Sequence, residues 1–228
     1  MKRNPKKVLI AIPIKDGMLR WETLFSLLRT AEIGYEVNII PFGGCDVCHA
    51  RNLAFHHWRT RSDAGRLQFL DSDLSWTPEK LKMLWDSDWD VVAGCYPLTD
   101  SFLRWSFQGK VKESTIPNYL VVEEVCTGAL SLTWDVLEKL IRPEDEFVIE
   151  DAEYRGEVGY EITKMGVFNR RRYSEDFYLS KIIREAGYHI YVDKRCWMNH
   201  HKMNGLLNRF TKDEIEKSLE NPQTVKAL

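Results

Sequence analysis

Two aspartates one residue apart, Asp71 and Asp73, are the side chains in this sequence best suited to bind a divalent cation. They follow residues 66–70, whose Leu and Phe side chains are typical of a buried strand in a parallel sheet. Side chains at i and i+2 of an extended segment point the same way, so both carboxylates would lie where open α/β sheets bind ligands. Such a pair suits Mg²⁺ or Mn²⁺, although a solvated turn also explains it.

The chain contains a second copy of the same tripeptide, Asp86-Ser87-Asp88. It follows Leu81, Leu84 and Trp85, whose spacing is helical. The second copy is therefore predicted to be a polar turn that ends a helix. Asp-x-Asp alone is not specific, and it is the preceding apolar strand that singles out the first copy.

A second acidic pair, Glu175 and Asp176, lies directly after Ser174 at the start of a predicted helix. Apolar residues follow at i, i+3, i+4 and i+7 between residues 179 and 186, as in an amphipathic helix. The helix dipole favours ionised carboxylates in the first turn, and a carboxylate there can accept a proton from a hydroxyl group. Ordinary helix capping by Ser174 explains the same pattern.

The segments that must position these residues alternate between strands and helices over the first hundred residues. Strands are predicted at residues 8–14, 36–42, 66–70 and 90–94, and helices at 20–32, 46–59 and 77–85. The helix at 20–32 is predicted from the spacing of Trp21, Leu24, Phe25 and Leu28. This rhythm predicts an α/β fold with a mostly parallel, right-handed, doubly wound sheet flanked by helices.

The second half of the chain is less regular. Its predicted elements are a β-rich stretch at 119–132, helices at 133–141 and 174–186, a strand at 189–192, and a last helix opened by a Thr211–Glu214 capping box. Residues 144–172 open with six acids and continue with three glycines, which predicts a mobile lid that buries little. We expect one domain over 1–205, with a nucleotide-binding half (1–100) and an acceptor half (101–205), followed by a helical tail (206–228).

Composition places the chain among ordinary soluble globular proteins. It has 228 residues, of which 44% are hydrophobic and 29% charged, and its net charge of −2 gives no general attraction to nucleic acid. No apolar stretch approaches the ~20 residues of a transmembrane segment. Five cysteines, an odd number, argue against a disulfide framework and for the cytoplasm. Cys45-Asp46-Val47-Cys48-His49 fits a haem-attachment motif, but we expect a chance match or buried thiols because no signal peptide is recognisable.

Five motifs together resemble the GT-A glycosyltransferases, especially their family-2-like and viral or phage members. They lie at residues 11–17, 50–54, 69–73 and 126–130, and at 173–177 with 191–193 and His200 behind them. Their order and approximate spacing match over about residues 8–201. The Gln-x-x-Arg-Trp signature of processive synthases is absent, which argues against a polysaccharide synthase.

The resemblance implies a donor site for a nucleotide-diphosphate sugar of the UDP or GDP type. Pro13 and Asp16 would line the pocket for the base and ribose, and Arg51 would lie over the base or the pyrophosphate. Thr127 and Gly128 would border the donor sugar. The implied acceptor is a hydroxyl group, most simply that of a glycan.

The resemblance also implies a cofactor, Mn²⁺ or Mg²⁺. Asp73 and His200 would be metal ligands, and Asp71 would contact either the ribose or the metal. The neighbouring His201 is the other candidate for the histidine ligand, and a histidine pair without any metal is the plainer alternative.

Asp176, together with Glu175, matches the acidic pair that supplies the catalytic base in inverting members of this class. Two rival functions remain open. A nucleotidyltransferase that makes nucleotide sugars would normally carry a Gly-rich loop with Arg and Lys after the first strand, which residues 13–17 do not provide. A non-catalytic nucleotide- or glycan-binding module of the same fold is the other rival.

Overall fold

The computed structural model describes residues 2–14, 17–31, 33–43, 46–98, 104–109, 112–113, 115–201 and 211–220. The α-helices in these ranges are α1 Trp21–Thr30, α2 Val47–Arg61, α3 Pro78–Trp85, α4 Trp134–Leu140, α5 Glu175–Glu185 and α6 Lys212–Glu220. The strands are β1 Asn4–Ile14, β2 Glu36–Gly43, β3 Ala64–Phe69, β4 Leu74–Ser75, β5 Val91–Cys95, β6 Phe107–Gln108, β7 Lys112–Glu113, β8 Tyr119–Val122, β9 Glu124–Val125, β10 Leu130–Thr133, β11 Glu146–Val148, β12 Val158–Tyr160, β13 Gly166–Phe168, β14 Arg171–Tyr173, β15 Ile190–Trp197 and β16 Asn199–His200.

An eight-stranded sheet in the order β2-β1-β3-β10-β5-β15-β8-β7 forms the centre of the molecule. The pairings make β2, β1, β3, β5, β15 and β7 run in one direction, whereas β10 and β8 run in the other. This confirms the predicted α/β class, a mostly parallel central sheet flanked by helices in the Rossmann-like manner of the GT-A fold.

The core consists of two layers, one on each face of this sheet. Strand β1 shows why: Leu9 and Ala11 enter the layer that holds α2, α4 and α5, while Val8 and Ile10 enter the layer that holds α3. Each of these four residues is fully buried. A strand covered by helices on both faces needs an unbroken apolar sequence, which is what residues 8–12 provide.

Strand β10 lies inside the sheet at a place that the strand–helix rhythm did not predict. It lies antiparallel between β3 and β5 and is reached through a 3₁₀ turn over Thr127–Ala129. Because it inserts between two strands that were predicted from the first half of the chain, it brings Thr127 and Gly128 directly beside the end of β3.

The expectation that residues 144–172 bury little surface is wrong, whereas their mobility as a lid stays a prediction. The segment forms two hairpins, β11 with β12 and β13 with β14. It contributes Ile149, Tyr154 and Ile162 to the hydrophobic core, each at most 3% exposed. Of the six acids, Glu144, Glu146, Glu150 and Glu153 are exposed, and the sparse apolar residues of the segment are sufficient to anchor it.

Helix α1 forms where the spacing predicts it, but its apolar stripe faces away from the core. Trp21, Leu24, Phe25 and Leu28 are exposed, and the buried residues are Thr23, Ser26, Leu27 and Thr30. The small polar side chains allow a close approach, since the Thr23 hydroxyl donates to the Leu74 carbonyl at 2.7 Å and the Trp76 indole donates to the Thr30 hydroxyl at 2.9 Å.

Helix α6 begins with the predicted capping box. The Thr211 amide donates to Glu214 Oε2 at 2.7 Å, and the Glu214 amide donates to Thr211 Oγ1 at 3.3 Å. Ile215 and Leu219 then dock the helix on the core. Within the described part of the chain, no helix has the length and apolar character needed to span a bilayer.

Candidate functional site

A cavity of about 270 Å³ opens at the carboxyl edge of the central sheet. Its walls come from the ends of β1 and β3 and from the first turns of α2 and α5. The residues that line it are Pro13, Ile14, Val47, Ala50, Arg51, Asp71, Ser72, Asp73, Glu175 and Asp176. The structure thus brings together six residues that were predicted separately from distant parts of the sequence, at the edge where open α/β sheets bind ligands.

Arg51 lies at the base of this cavity and is only 3% exposed. Its Nη1 atom lies 2.8 Å from Glu175 Oε1 and 3.1 Å from Asp176 Oδ1, and its Nη2 atom lies 3.3 Å from Asp71 Oδ1. The Arg51 Nε atom is buried without a hydrogen-bond partner among the described residues. The guanidinium group therefore connects the acids that follow β3 to the acids that open α5.

The electrostatics of the cavity follow from this crowding of charge. Burial alone lowers the pKa of Arg51, but the surrounding Asp176, Asp71 and Glu175 outweigh it and raise the pKa above its ordinary value. Burial raises the pKa of Asp71 to about 6, with Arg51 opposing the shift and Asp176 and Asp73 adding to it. Four carboxyl groups and one guanidinium group line the cavity, so the cavity has an excess of negative charge that suits a cation.

Gly128 and Thr127 hold the two acidic groups in place. The Asp71 amide donates to the Gly128 carbonyl at 3.0 Å. A Cβ atom at position 128 would overlap the Asp71 carboxyl and the Tyr96 hydroxyl, so this position accepts only glycine without rearrangement. The Thr127 amide donates to Asp176 Oδ1 at 3.1 Å, and its hydroxyl donates to the same atom.

Asp73 and His200 meet because β4, which follows Asp73, pairs with β16. His200 Nε2 lies 3.2 Å from Asp73 Oδ2, and His200 Nδ1 lies 2.8 Å from the Pro97 carbonyl oxygen. A carbonyl only accepts, so Nδ1 donates to it, and Nε2 is the ring nitrogen that faces the Asp73 carboxyl group. His201 instead points to Ser75, with Nε2 2.7 Å from the hydroxyl, so His200 is the histidine whose ring contacts the Asp73 side chain.

The metal expectation stays a prediction. Among the residues that the structure describes, no group of three or more His, Cys, Asp or Glu side chains is arranged to hold a metal ion. What the structure contains is the Asp73–His200 pair, with Asp71 two residues away along the chain.

Some residues named from the sequence lie outside this constellation. Asp16 and Cys45 fall outside the described residues, whereas Pro13 lines the cavity. The second Asp-x-Asp copy is a turn, as predicted, since Asp86 ends α3 by donating its amide to the Lys82 carbonyl. Asp88 is exposed, beside the amino-terminal ends of β1 and β3.

Tyr96 is a residue of the site that sequence reasoning missed. Its ring packs edge-on against His200 with centroids 5.2 Å apart, and its hydroxyl lies beside Gly128. Burial raises the pKa of Tyr96 well above its ordinary value, so the hydroxyl keeps its proton. The available signal was its position directly after β5, at the same edge of the sheet as Asp71.

Comparison with known proteins supports the fold but not a function. No family model and no curated protein matches the chain. Among solved structures, A197 from STIV matches with a TM-score of 0.56 at 20% identity, covering 88% of this chain and 92% of that one. The inositol-1-phosphate CTP transferase from T. maritima matches with a TM-score of 0.36 at 11% identity, covering 93% and 77%, which is too low to carry an argument.

Proposed function

We propose that the chain is a metal-dependent glycosyltransferase that moves a sugar from a UDP- or GDP-type sugar to a hydroxyl acceptor, most simply on a glycan. The observation that carries the proposal is the single cavity in which Arg51 joins Asp71 to Glu175 and Asp176. Sugar transfer needs the charge on the leaving diphosphate balanced and a proton removed from the acceptor hydroxyl. Two separate acidic groups in one cavity match these two needs.

The residues present fit a hard divalent cation. Carboxylate and imidazole ligands suit Mn²⁺, and such cations commonly take one or two protein carboxylates plus substrate phosphates and water. Asp73 and His200 would hold it, and Asp71 lines the same cavity as Asp73. The bond from His200 Nδ1 to the Pro97 carbonyl is the kind of support that orients a ligating imidazole. When bound, the cation would stabilise the leaving diphosphate as a Lewis acid.

Asp176 is the proposed base, and the proposed stereochemical course is inverting. The Asp176 side chain is held at Oδ1, which accepts from the Thr127 amide and hydroxyl and pairs with Arg51. The carboxyl group is therefore fixed in direction while lining the cavity. Glu175 is the second choice: Arg51 holds its Oε1 atom at 2.8 Å, but the hydrogen bonds from Thr127 go to Asp176.

In this proposal the protein is cytoplasmic, and the two halves of a single domain, 1–205, have different roles. The half at 1–100 would bind the nucleotide diphosphate, with Pro13 and Asp16 at the base and ribose. The half at 101–205 would border the donor sugar through Thr127 and Gly128 and supply the base and His200. The proposal assigns no role to the tail at 206–228.

Metal dependence tests this proposal most directly. Chelation should abolish release of UDP or GDP from a panel of nucleotide sugars, and Mn²⁺ should restore it. We expect Asp73→Asn to raise the Mn²⁺ concentration for half-maximal rate by about tenfold or more, because it removes a charged ligand. Asp88→Asn is the matched control and should behave as wild type, since Asp88 is exposed and far from the cavity.

Three results would contradict the proposal. Full activity in excess chelator would exclude the metal. Formation of nucleotide sugar from a nucleoside triphosphate and a sugar phosphate would assign the chain to the nucleotidyltransferases. Tight donor binding without turnover by any nucleotide sugar, with acceptor sugars present, would favour a non-catalytic binding module.

A further inference from the structure

Helix α1 exposes a continuous apolar surface, which we call the α1 face: Met18, Trp21, Leu24, Phe25 and Leu28. Their exposed fractions are 67, 65, 46, 57 and 63%. Trp21 and Phe25 contact each other edge-to-face, with ring centroids 5.6 Å apart. Scattered apolar residues on a surface need no explanation, but a contiguous patch of large side chains marks an interaction site.

The fold does not need the α1 face. The opposite side of α1 already holds the helix on the sheet through Thr23 and Ser26, whose hydroxyls bond to the Leu74 carbonyl and the Trp76 amide. The four helical members recur at i, i+3, i+4 and i+7, so they form one stripe along one side of the helix. The amphipathic pattern is therefore directed outward, towards something other than this chain's own core.

The charged residues that border the α1 face are basic. The helix has Arg20 before its first residue and Arg29 in its last turn. Its carboxylate in the first turn, Glu22, is turned inward towards His201, with 3.6 Å between Glu22 Oε1 and His201 Nδ1. The acid near Arg29, Glu79, belongs to the neighbouring helix α3. Cations thus border the stripe at both ends.

A second copy of the chain suits this surface poorly. Five side chains with these exposures offer on the order of 500 Å², whereas a stable dimer typically buries about 800 Å² on each partner. Two α1 helices packed antiparallel across a two-fold axis would also place Arg20 of each chain near Arg29 of the other. Both the area and the charges disfavour self-association.

We propose that the α1 face binds the surface of an anionic lipid bilayer. The apolar stripe would lie at the boundary between headgroups and acyl chains, and Arg20 and Arg29 would lie at the level of the lipid phosphates. Trp and Phe favour this boundary because their rings are large and apolar, and the indole N–H can stay in contact with water. The helix lies on the bilayer and does not span it.

Trp21 makes the proposal directly measurable. All eight tryptophans lie among the described residues, and Trp21 is the one that is exposed. On vesicles of phosphatidylcholine with phosphatidylglycerol, tryptophan fluorescence should shift to shorter wavelength, and brominated lipids should quench it. Trp21→Phe should remove most of both signals, while binding measured by sedimentation with the vesicles should persist.

The matched variants are Phe25→Asp on the α1 face and Val167→Asp on the distant β13, where Val167 is 69% exposed. We expect Phe25→Asp to weaken vesicle binding by about tenfold or more and Val167→Asp to leave it unchanged. Circular dichroism verifies that both variants are folded. Vesicles of phosphatidylcholine alone should bind markedly less, since they lack the anionic charge.

Each opposite result overturns the proposal. Absence of binding to anionic vesicles does so, as does equal binding to neutral vesicles or equal loss with both aspartate variants. Sedimentation velocity tests whether the α1 face binds a second copy of the chain. A dimer that Phe25→Asp converts to a monomer, without vesicle binding by the wild type, assigns the α1 face to a second copy instead.

Discussion

Arg51 determines which acidic side chains can act together in the cavity. Its guanidinium group is buried and contacts Asp71, Glu175 and Asp176. Without it, the carboxylates would repel one another at short range, and the excess negative charge would no longer be held in one place. In the proposed function, the cation would lie beside Asp73 and His200, and the acceptor would lie beside Asp176.

Substitution of Asp176 separates catalysis from binding. Asp176→Asn keeps the volume, and its Oδ1 atom can still accept from the Thr127 amide and hydroxyl, but it removes the basicity. We expect kcat to fall by about 10²–10⁴ while the donor Kd stays nearly unchanged. Steady-state kinetics and calorimetric titration of the donor measure the two effects.

Glu175→Gln is the matched comparison and should reduce kcat less than Asp176→Asn does. If Glu175→Gln abolishes transfer and Asp176→Asn does not, the base is Glu175. Transfer at the wild-type rate by both variants would contradict the inverting mechanism.

Gly128 is the second residue with a specific prediction. Gly128→Ala forces the Asp71 carboxyl and the Tyr96 hydroxyl to move, because the added Cβ would overlap both. We expect a loss of about 1–3 kcal/mol in unfolding free energy and at least a tenfold weaker donor affinity. Gly166→Ala, where the Cβ would meet only the Phe168 ring at 3.4 Å, should change neither quantity. Normal donor binding by Gly128→Ala would remove Gly128 from the site.

Sequence reasoning identified the residue types of the site but not their contacts. The Asp71–Asp73 and Glu175–Asp176 pairs stand out because each follows a clear strand or opens a clear helix. The contact of Arg51 with Glu175 spans 124 positions along the chain, and no local pattern encodes such a pairing. Tyr96 was missed for the same reason, because its role depends on Gly128 and His200, which are distant in the sequence.

At the scale of elements, strands and helices were predicted well where the spacing of apolar residues is regular. The strands and helices before residue 100 lie close to their predicted positions, because apolar runs and helical spacing there are strong. The hairpins at 144–172 were missed because strands of three residues are too short to carry a periodic signal. The outward orientation of the apolar stripe on α1 was not predictable, since the spacing of apolar residues defines a stripe without showing what covers it.

The attachment of these hairpins to α2 yields a prediction of stability. Asn52 Nδ2 donates to the Thr163 carbonyl at 3.0 Å, and Asn52 Oδ1 accepts from the Thr163 amide at 2.8 Å. Both residues are buried. Asn52→Ala leaves these backbone groups unsatisfied, so we expect a loss of about 2–4 kcal/mol in urea unfolding and faster proteolysis within 144–172. Asn199→Ala, at an exposed position, should have little effect. An equally stable Asn52→Ala protein would show that the hairpins hold without this anchor.

At the scale of the whole molecule, the sheet joins two halves of different character. The first supplies β1, β2, β3 and β5, and the second inserts β10 and β15 among or beside them. Alternation of strands and helices predicted the first half, because each unit there is local. The insertion of β10 between β3 and β5 depends on packing across the molecule, which the sequence alone does not encode.

Lys80 couples the stability of the molecule to pH. Its Nζ atom lies 3.2 Å from the centroid of the Trp197 ring, and burial lowers its pKa to about 8 from 10.5. Between these two values the unfolded chain binds more protons than the folded chain, so this group makes stability rise with pH. The unfolding free energy of the wild type should rise by roughly 2–3 kcal/mol between pH 7 and about 10.5, as measured by urea unfolding. Lys80→Met should not show this rise. Lys139→Met, at an exposed position, should retain the rise. If stability depends on pH in the same way in the wild type and in Lys80→Met, burial does not lower the pKa of Lys80.

The ion pairs of Arg51 also order events during synthesis and folding. They join residues 20 and 124 positions apart, so the cavity cannot exist until α5 has been made and has docked on the first half of the chain. Contacts of such separation form late, because the intervening loop must be closed first. A ligand that contacts both Asp71 and Asp176 therefore binds only the completed fold and stabilises it by mass action. Its concentration in the cell would then set how much of the newly made protein stays folded.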